Sequence, residues 1–254
     1  MLEISCQGRI AVLTLSRAPV NAINDELIAA FHGALDSLSE RGDWNVLHIR
    51  SSQKVFAAGA DLQQIRSWKE APSPGRALSA YIERLQALYH RIERLPQVTL
   101  SEIGGAAMGG GLELALSCDL RIAADEAKIG LPEVGIGLLP GAGGTQRLTR
   151  LCGPGVAARI ILASETVDGK TAQSLGIVQW SVPREQIETR ARALAERVAG
   201  LPGHALQAAK RCMAGYEGTN LHGYDLEREE GGVLLESSET QRLIGDFLER
   251  NASR

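Results

Sequence analysis

The stretch Ile103-Gly-Gly-Ala-Ala-Met-Gly-Gly-Gly-Leu-Glu-Leu-Ala-Leu-Ser-Cys-Asp119 decides how this chain is read. Three consecutive glycines, Gly109 to Gly111, follow an apolar run and lead into a short helical segment with Glu113 in its first turn. Glycine lets the backbone approach a ligand closely and adopt positive φ. A helix start presents N–H groups without intrahelical partners and a partial positive charge. That setting receives an oxyanion. A carboxylate beside it repels an anion unless it has chemical work to do. Taken alone, the same residues also describe an ordinary Gly-rich turn, with Glu113 favoured by the helix dipole. Both readings stand until the rest of the chain is weighed.

The segments on either side alternate strand and helix. Val98 to Ile103 is a strand that feeds the glycines. Before it, Leu78, Ile82, Leu85, Leu88 and Ile92 recur at helical spacing and predict an amphipathic helix over 76–95. Ala71-Pro-Ser-Pro-Gly75 reads as a loop. Trp44 to Arg50 is a strand. Leu27, Ile28, Phe31, Leu35 and Leu38 predict a helix over 24–40, with Asn24 as its N-cap. Residues 2–6 and 9–15, separated by Gly8, read as a hairpin. Downstream, Leu120–Ala124 and Ala127–Ile129 are short strands, and Gly141-Ala-Gly-Gly144 opens a helical region. From about residue 184 onward the pattern is almost wholly helical. This rhythm of strands feeding Gly-rich turns and helices is α/β. Low-complexity segments and clean internal repeats are absent from the sequence.

Composition narrows the function classes. A 254-residue chain that is 44% hydrophobic buries a substantial core, and at 4% aromatic that core is aliphatic. Basic and acidic residues number 27 and 30, a net charge of -3, which argues against an extended nucleic-acid surface. Cys6, Cys118, Cys152 and Cys212 are scattered, with no CxxC pair and no metal-ligand spacing, so no metal is expected. They read as core thiols of a reducing compartment. The N-terminus does not read as a signal peptide, and no stretch reaches the roughly 18 apolar residues of a membrane span. The expectation is a cytoplasmic protein without membrane or nucleic-acid partners.

Two further motifs bear on chemistry. Phe56-Ala-Ala-Gly-Ala-Asp61 is a small-residue turn after a strand. It is either a plain β-turn or a turn whose N–H groups donate to a ligand oxygen. Leu131-Pro-Glu133, followed by Gly135, Gly137 and Pro140-Gly-Ala-Gly-Gly144, is an apolar irregular loop. Glu133 is either solvated there or turned into an apolar pocket, where its pKa rises and it serves as an acid.

In their order and spacing these motifs resemble the enoyl-CoA hydratase/isomerase (crotonase) superfamily, nearly end to end. Ser16-Arg-Ala-Pro-Val-Asn-Ala-Ile-Asn24 is similar to the family's Asn-Arg-Pro…Asn-Ala-Leu segment. Phe56–Asp61 and Met108–Asp119 continue the match, which is densest over Gly130–Arg150. The resemblance implies a crotonase-like spiral of ββα units over residues 1–200 and a C-terminal helical region, 201–254, used in trimer assembly. It implies oxyanion-hole N–H groups at Ala60 and Gly110 and catalytic carboxylates at Glu113 and Glu133. It places coenzyme A against the backbone around Ala22 and Ala58, and water at the Gly141 turn. Asp61, Ile65, Gly109 and Pro140 complete the expected substrate-binding set. The implied partners are an acyl-CoA substrate and further copies of the chain, as a homotrimer or dimer of trimers. No separate cofactor is expected, because coenzyme A is part of the substrate.

The chemistry suits these residues. Adding water across an α,β-unsaturated thioester builds negative charge on the thioester oxygen, which two preorganised N–H donors stabilise. One carboxylate deprotonates the water and a second supplies the α-carbon proton. The expected division gives Glu113 the water and Glu133 the α-carbon. Isomerases of the superfamily often keep only the acid matching Glu133, so two glutamates favour a 2-enoyl-CoA hydratase. The alternatives are an enoyl-CoA double-bond isomerase and, from other classes, an RNA-binding or non-catalytic homologue. The chain also departs from the family. Where the family has Lys-Pro and small apolar residues, this strand reads Gln97-Val-Thr-Leu-Ser-Glu-Ile103, and Gly104 stands where Asn is common. Glu102 in a buried strand requires a partner, a subunit interface or a proton. Glu227-Arg-Glu-Glu230 with Gly231-Gly232, and an end at Phe247–Arg254 without the family's Phe-Lys-Gly-like tail, depart as well. Residues 66–76 and the C-terminal helices are expected to line the acyl pocket.

Overall fold

Apolar residues at every second position of Ile10–Leu15 bury Ala11, Leu13 and Leu15 and make this strand, β2, a core strand. Its hairpin partner β1, Leu2–Gln7, is mostly exposed and closes one edge of the sheet. Strands β3 (Val46–Ser51), β4 (Val98–Ile103), β6 (Leu120–Ala124) and β8 (Trp180–Val182) follow in parallel, giving the order β1-β2-β3-β4-β6-β8. Two shorter strands, β5 (Ala107–Met108) and β7 (Ile129–Gly130), form a second small sheet. This computed structural model describes residues 1–61, 63–65, 67, 71–215, 238 and 242. The chain divides into two compact units, Met1–Ala199 and Gly200–Arg254.

The first unit carries six labelled helices. They are α1 (Asp25–Ser39), α2 (Pro74–Glu93), α3 (Gly110–Leu116), α4 (Gly144–Ile161), α5 (Gly169–Ser174) and α6 (Ile187–Ala199). Asn24 caps α1 as its spacing predicts, its side chain accepting from the Leu27 N–H at 3.0 Å. Helix α4 is kinked at Gly153-Pro154. Parallel strands joined by helices confirm the α/β reading, and the core is the aliphatic one that the composition predicts.

Element boundaries differ from the sequence reading by one or two residues, most informatively in three elements. The strand expected from Trp44 starts at Val46, because the Trp44 ring is drawn into the core and its indole N–H donates to the Leu38 carbonyl. The strand expected at Ala127–Ile129 is Ile129–Gly130, since Ala127 closes a turn onto Ala124. The helix expected over 76–95 begins at Pro74, whose fixed φ and missing N–H suit a first helical turn, and ends at Glu93. The second unit contributes α7 (Gly203–Ala214). Apart from helical residues 238 and 242, the rest of the expected C-terminal helical region lies outside the described residues. So do Glu227–Gly232, Phe247–Arg254 and part of the 66–76 segment. Among the described residues, no helix is long and apolar enough to cross a membrane.

Candidate active site

A stack of short rungs sets the site. After each long strand the chain turns and lays down a brief second strand. Ala57 bridges Ala107, Ala107 pairs with Ile129, and Ile129 bridges Val167. The Ala57 N–H donates to Ala106 O at 3.1 Å, Met108 N–H to Ala57 O at 3.0 Å and Gly109 N–H to Gly130 O at 3.0 Å. Because the rungs are in register, the residues just beyond them also come side by side. Those residues are Ala60, Gly110 and Glu133. Three turns that are distant in sequence therefore meet at one place.

The donor groups follow from this packing. Ile23 forms a parallel bridge with Ala60: its N–H donates to Gly59 O at 2.8 Å and its carbonyl accepts from Asp61 N–H at 3.0 Å. Those bonds use the peptide groups flanking Ala60 and leave the Ala60 N–H facing away from Ile23. Gly110 is the first residue of α3, so its N–H has no intrahelical acceptor. The two turns touch, since a Cβ on Gly59 would lie 3.5 Å from Gly110 N. Gly109 has φ +54°, and a Cβ there would stand 2.9 Å from Glu133 Oε1. Glycine is required at that position for both conformation and space. A Cβ on Gly111 would strike the Ala57 carbonyl at 2.3 Å, so the third glycine lets α3 lie against its rung.

Both carboxylates are withdrawn from water. Every residue of α3 is buried, and Glu113 is 3% exposed. Its Oε1 accepts from the Gly144 N–H at 2.7 Å. Burial pushes its pKa up to about 7, with repulsion from Glu133 adding to the rise and the amides of Gly144 and Ala142 and the Arg147 charge opposing it. Glu133 opens a 3-10 turn, Glu133–Ile136, and is half-buried, with its pKa also raised by burial. Its Oε2 has no hydrogen-bond partner among the described residues. The site thus holds two carboxyls that resist ionisation together. The turn facing Glu113 is held by Arg147, which is 3% exposed. Arg147 donates to Ala142 O at 2.9 Å and pairs with Glu93 at 2.8 Å.

The remaining expected residues divide into two groups. Pro140 and Gly141 lie on the turn that leads to Gly144 and faces Glu113. A Cβ on Gly144 would meet Pro140 Cβ at 2.8 Å and Glu113 Oε1 at 2.9 Å. The Gly141 carbonyl accepts from Gln86 Nε2 at 2.6 Å. Ala22 and Ala58 are neighbours on adjoining segments, joined by Ala58 N–H to Val20 O at 3.0 Å. Asp61 faces inward. Its carboxylate pairs with Arg17 at 2.7 Å and accepts from the Gln63 N–H at 2.7 Å. It thereby braces the Ala60 turn. Ile65 lies one helical turn beyond Asp61 and packs on the core.

Several supporting residues were not among the expected site residues, although Arg17 and Asn21 lie in the Ser16–Asn24 segment that resembles the family's. Arg17 links the Asp61 carboxylate to the Ala22 carbonyl. Asn21, fully buried with φ +49°, reaches across to Ser51 Oγ and Phe56 O. Tyr81 and Tyr89 bond the donor segments from α2. Glu102 finds a partner in His48, whose Nε2 lies 2.9 Å from Glu102 Oε2 with both side chains buried. The two atoms are within salt-bridge distance but lack the alignment of a hydrogen bond. Among the described residues, no group of three or more His, Cys, Asp or Glu could hold a metal ion.

Known proteins match this architecture over its length. The family model described as enoyl-CoA hydratase/isomerase matches residues 5–253. A probable enoyl-CoA hydratase of Bacillus subtilis (strain 168) is 35% identical over 255 residues, 98% of this chain and 96% of that protein. The 2,3-dehydroadipyl-CoA hydratase of Escherichia coli (strain K12) is 32% identical over 98% of this chain and 96% of its own length. A solved enoyl-CoA hydratase structure from Geobacillus kaustophilus HTA426 superposes with a TM-score of 0.92 at 33% identity, covering 98% of this chain and 94% of that one. Rungs, glycine turns and full-length likeness agree: the chain belongs to the enoyl-CoA hydratase/isomerase family and has its crotonase-like fold.

Proposed function

We propose that the protein adds water across the double bond of a 2-enoyl-CoA thioester, yielding the 3-hydroxyacyl-CoA. The observation that carries this reading is the pairing of Glu113 and Glu133, two withdrawn carboxylates from different turns of the spiral, beside the glycine start of α3. The N–H groups of Ala60 and Gly110 receive the thioester oxygen. As hydroxide from water bonds to the β-carbon, Glu113 takes the water proton and the double-bond electrons move onto that oxygen as an enolate. Glu133 then protonates the α-carbon. Glu113, whose pKa burial lifts to about 7 against the pull of the two amides, fits the role of a base poised near working pH. Glu133, with an unpartnered oxygen, fits the acid role. Burial raises both pKa values, and the Glu133 charge adds to the rise at Glu113, which favours a pair that shares one proton, the state the addition needs. The turn at Pro140 and Gly141 lies against Glu113 and suits the attacking water. Backbone near Ala22 and Ala58 is the surface for coenzyme A.

Assembly as a homotrimer or dimer of trimers in the cytoplasm belongs to the same proposal and rests on the family likeness; a monomeric mass by light scattering would remove it. The deciding assay for the reaction follows loss of the conjugated enoyl absorbance over a panel of 2-enoyl-CoA thioesters of varied length and branching. Hydration without migration of a 3-enoyl double bond is the expected result. Migration without hydration would make the protein an isomerase, a reaction for which one acid suffices.

A further inference from the structure

Helix α2 spans the back of both donor turns. Its buried face carries Tyr81, Leu85, Leu88, Tyr89 and Ile92. Tyr81 and Tyr89 are eight residues apart, about 12 Å along the helix at 1.5 Å per residue, on the same side. They are 3% and 1% exposed. The Tyr81 hydroxyl donates to Ile23 O at 3.0 Å, and the Tyr89 hydroxyl donates to Gly110 O at 2.8 Å. Phenylalanine would fill the same space without needing an acceptor, whereas a buried hydroxyl must find one. The carbonyls chosen belong to the two segments that carry the donors. Ile23 is the bridge partner of Ala60, and Gly110 is itself a donor residue.

We infer that Tyr81 and Tyr89 are positioning residues that fix the two donor peptides of the oxyanion hole from a single helix face. The inference rests on the assignment of Ala60 and Gly110 as donors. Three glycines in a row are the least restrained backbone a chain can present, with no side chain to limit rotation. Tyr89 supplies that restraint from outside, tying the Gly110 carbonyl to a rigid helix. Tyr81 does the same for the Ala60 turn through Ile23, whose carbonyl also holds the Asp61 N–H. Between the two tyrosines, Gln86 bonds the Gly141 carbonyl, so the same helix fixes the turn facing Glu113 as well. Donors pay no reorganisation at the moment of reaction only if their orientation is set beforehand.

The test uses Tyr81→Phe and Tyr89→Phe, singly and together, in the full chain. Each change should lower kcat for hydration of a short 2-enoyl-CoA by about tenfold, a fraction of the roughly 10²–10³ lost with a whole donor. KM, affinity for free coenzyme A and thermal midpoint should stay near wild type, because the rings still fill their sites. A second readout does not depend on hydration. Bound acetoacetyl-CoA places enolate charge on the oxygen in the hole, and its near-ultraviolet enolate absorbance should fall in both variants. Wild-type kcat and wild-type enolate signal in the phenylalanine variants would overturn the inference. Parallel loss of coenzyme A affinity and stability would overturn it too, in favour of a packing role. A wild-type protein that enolises acetoacetyl-CoA but hydrates nothing would remove the hydratase reading, and the enolate signal of the variants would still decide the tyrosines. A wild-type protein that does neither would overturn both.

Discussion

Replacing Glu113 by Gln should abolish turnover and yet stabilise the protein at alkaline pH. Glu113 is 3% exposed, and burial raises its pKa from 4.5 to about 7. A carboxyl whose folded pKa lies above its unfolded value binds the proton more tightly when folded. Its contribution to stability is therefore complete below the unfolded pKa and is lost as pH rises through the folded one. The difference between 4.5 and about 7 corresponds to a loss on the order of 3 kcal/mol by about pH 8. Glutamine keeps the volume and an oxygen for the Gly144 N–H but never ionises, so it escapes that loss. In a chain of this size, about 3 kcal/mol is roughly 6–12 °C in thermal midpoint. Melting both proteins between about pH 5 and pH 8.5 should show curves that nearly coincide in acid and diverge in base, with the variant higher. Hydration should fall at least about a hundredfold in the same variant. A variant no more stable than wild type at high pH, or stabilised equally at all pH values, would refute the claim that this carboxylate is held against its ionisation.

Gly110→Pro should remove one donor and lower hydration by roughly 10²–10³, while the protein stays folded, because a first helical position accepts proline; near-normal activity in the folded variant, judged by circular dichroism, would return the glycine turn to a structural role. Glu102→Ala should destabilise the protein by about 1–3 kcal/mol by stripping His48 of its buried partner, and adding His48→Val should recover much of that loss. Denaturant titration of the double-mutant cycle checks this, and additive effects would show that the pair is not coupled.

Much of the site was legible because its turns carry their own chemistry. Gly109-Gly-Gly111 before Glu113, the small residues of Phe56–Asp61, and a glutamate in the apolar loop at Leu131–Glu133 are local signals, and the structure brings all three together. The reason they meet was not legible. The rung Ala107–Met108 is two residues long and too short for any periodicity to register, and Ile129–Gly130 showed only as a short strand offset to Ala127–Ile129. Their pairing joins segments with no sequence likeness. Partners chosen across the fold were equally hidden. Glu102 announced a need but not its answer, since His48 reaches it only because β3 lies beside β4. Asp61 stood among the expected substrate contacts, and its inward turn depends on Arg17, 44 positions earlier in the chain. The tyrosines of α2 carried no signal, because a helical pattern places side chains on a face and is silent on where their hydroxyls point.

The same placement explains why the site tolerates two carboxylates at all. In the proposed reaction the oxygen that gains charge is met by peptide dipoles from separate rungs rather than by a cation. Arg147, the buried cation whose charge acts on Glu113, is committed to Glu93 and the Ala142 carbonyl. Dipoles can stabilise one developing charge, but they offer little against a further anion in the same pocket. The pair must therefore carry one proton before water adds, so that Glu113, having taken the water proton, and Glu133 are both uncharged when the enolate forms; burial, which raises both pKa values, favours that starting state. That proton is also the one delivered to the α-carbon. The burial that makes Glu113 a source of instability in base is thus the feature that readies the pair for reaction, and a protein relieved of it by glutamine should be sturdier and inert.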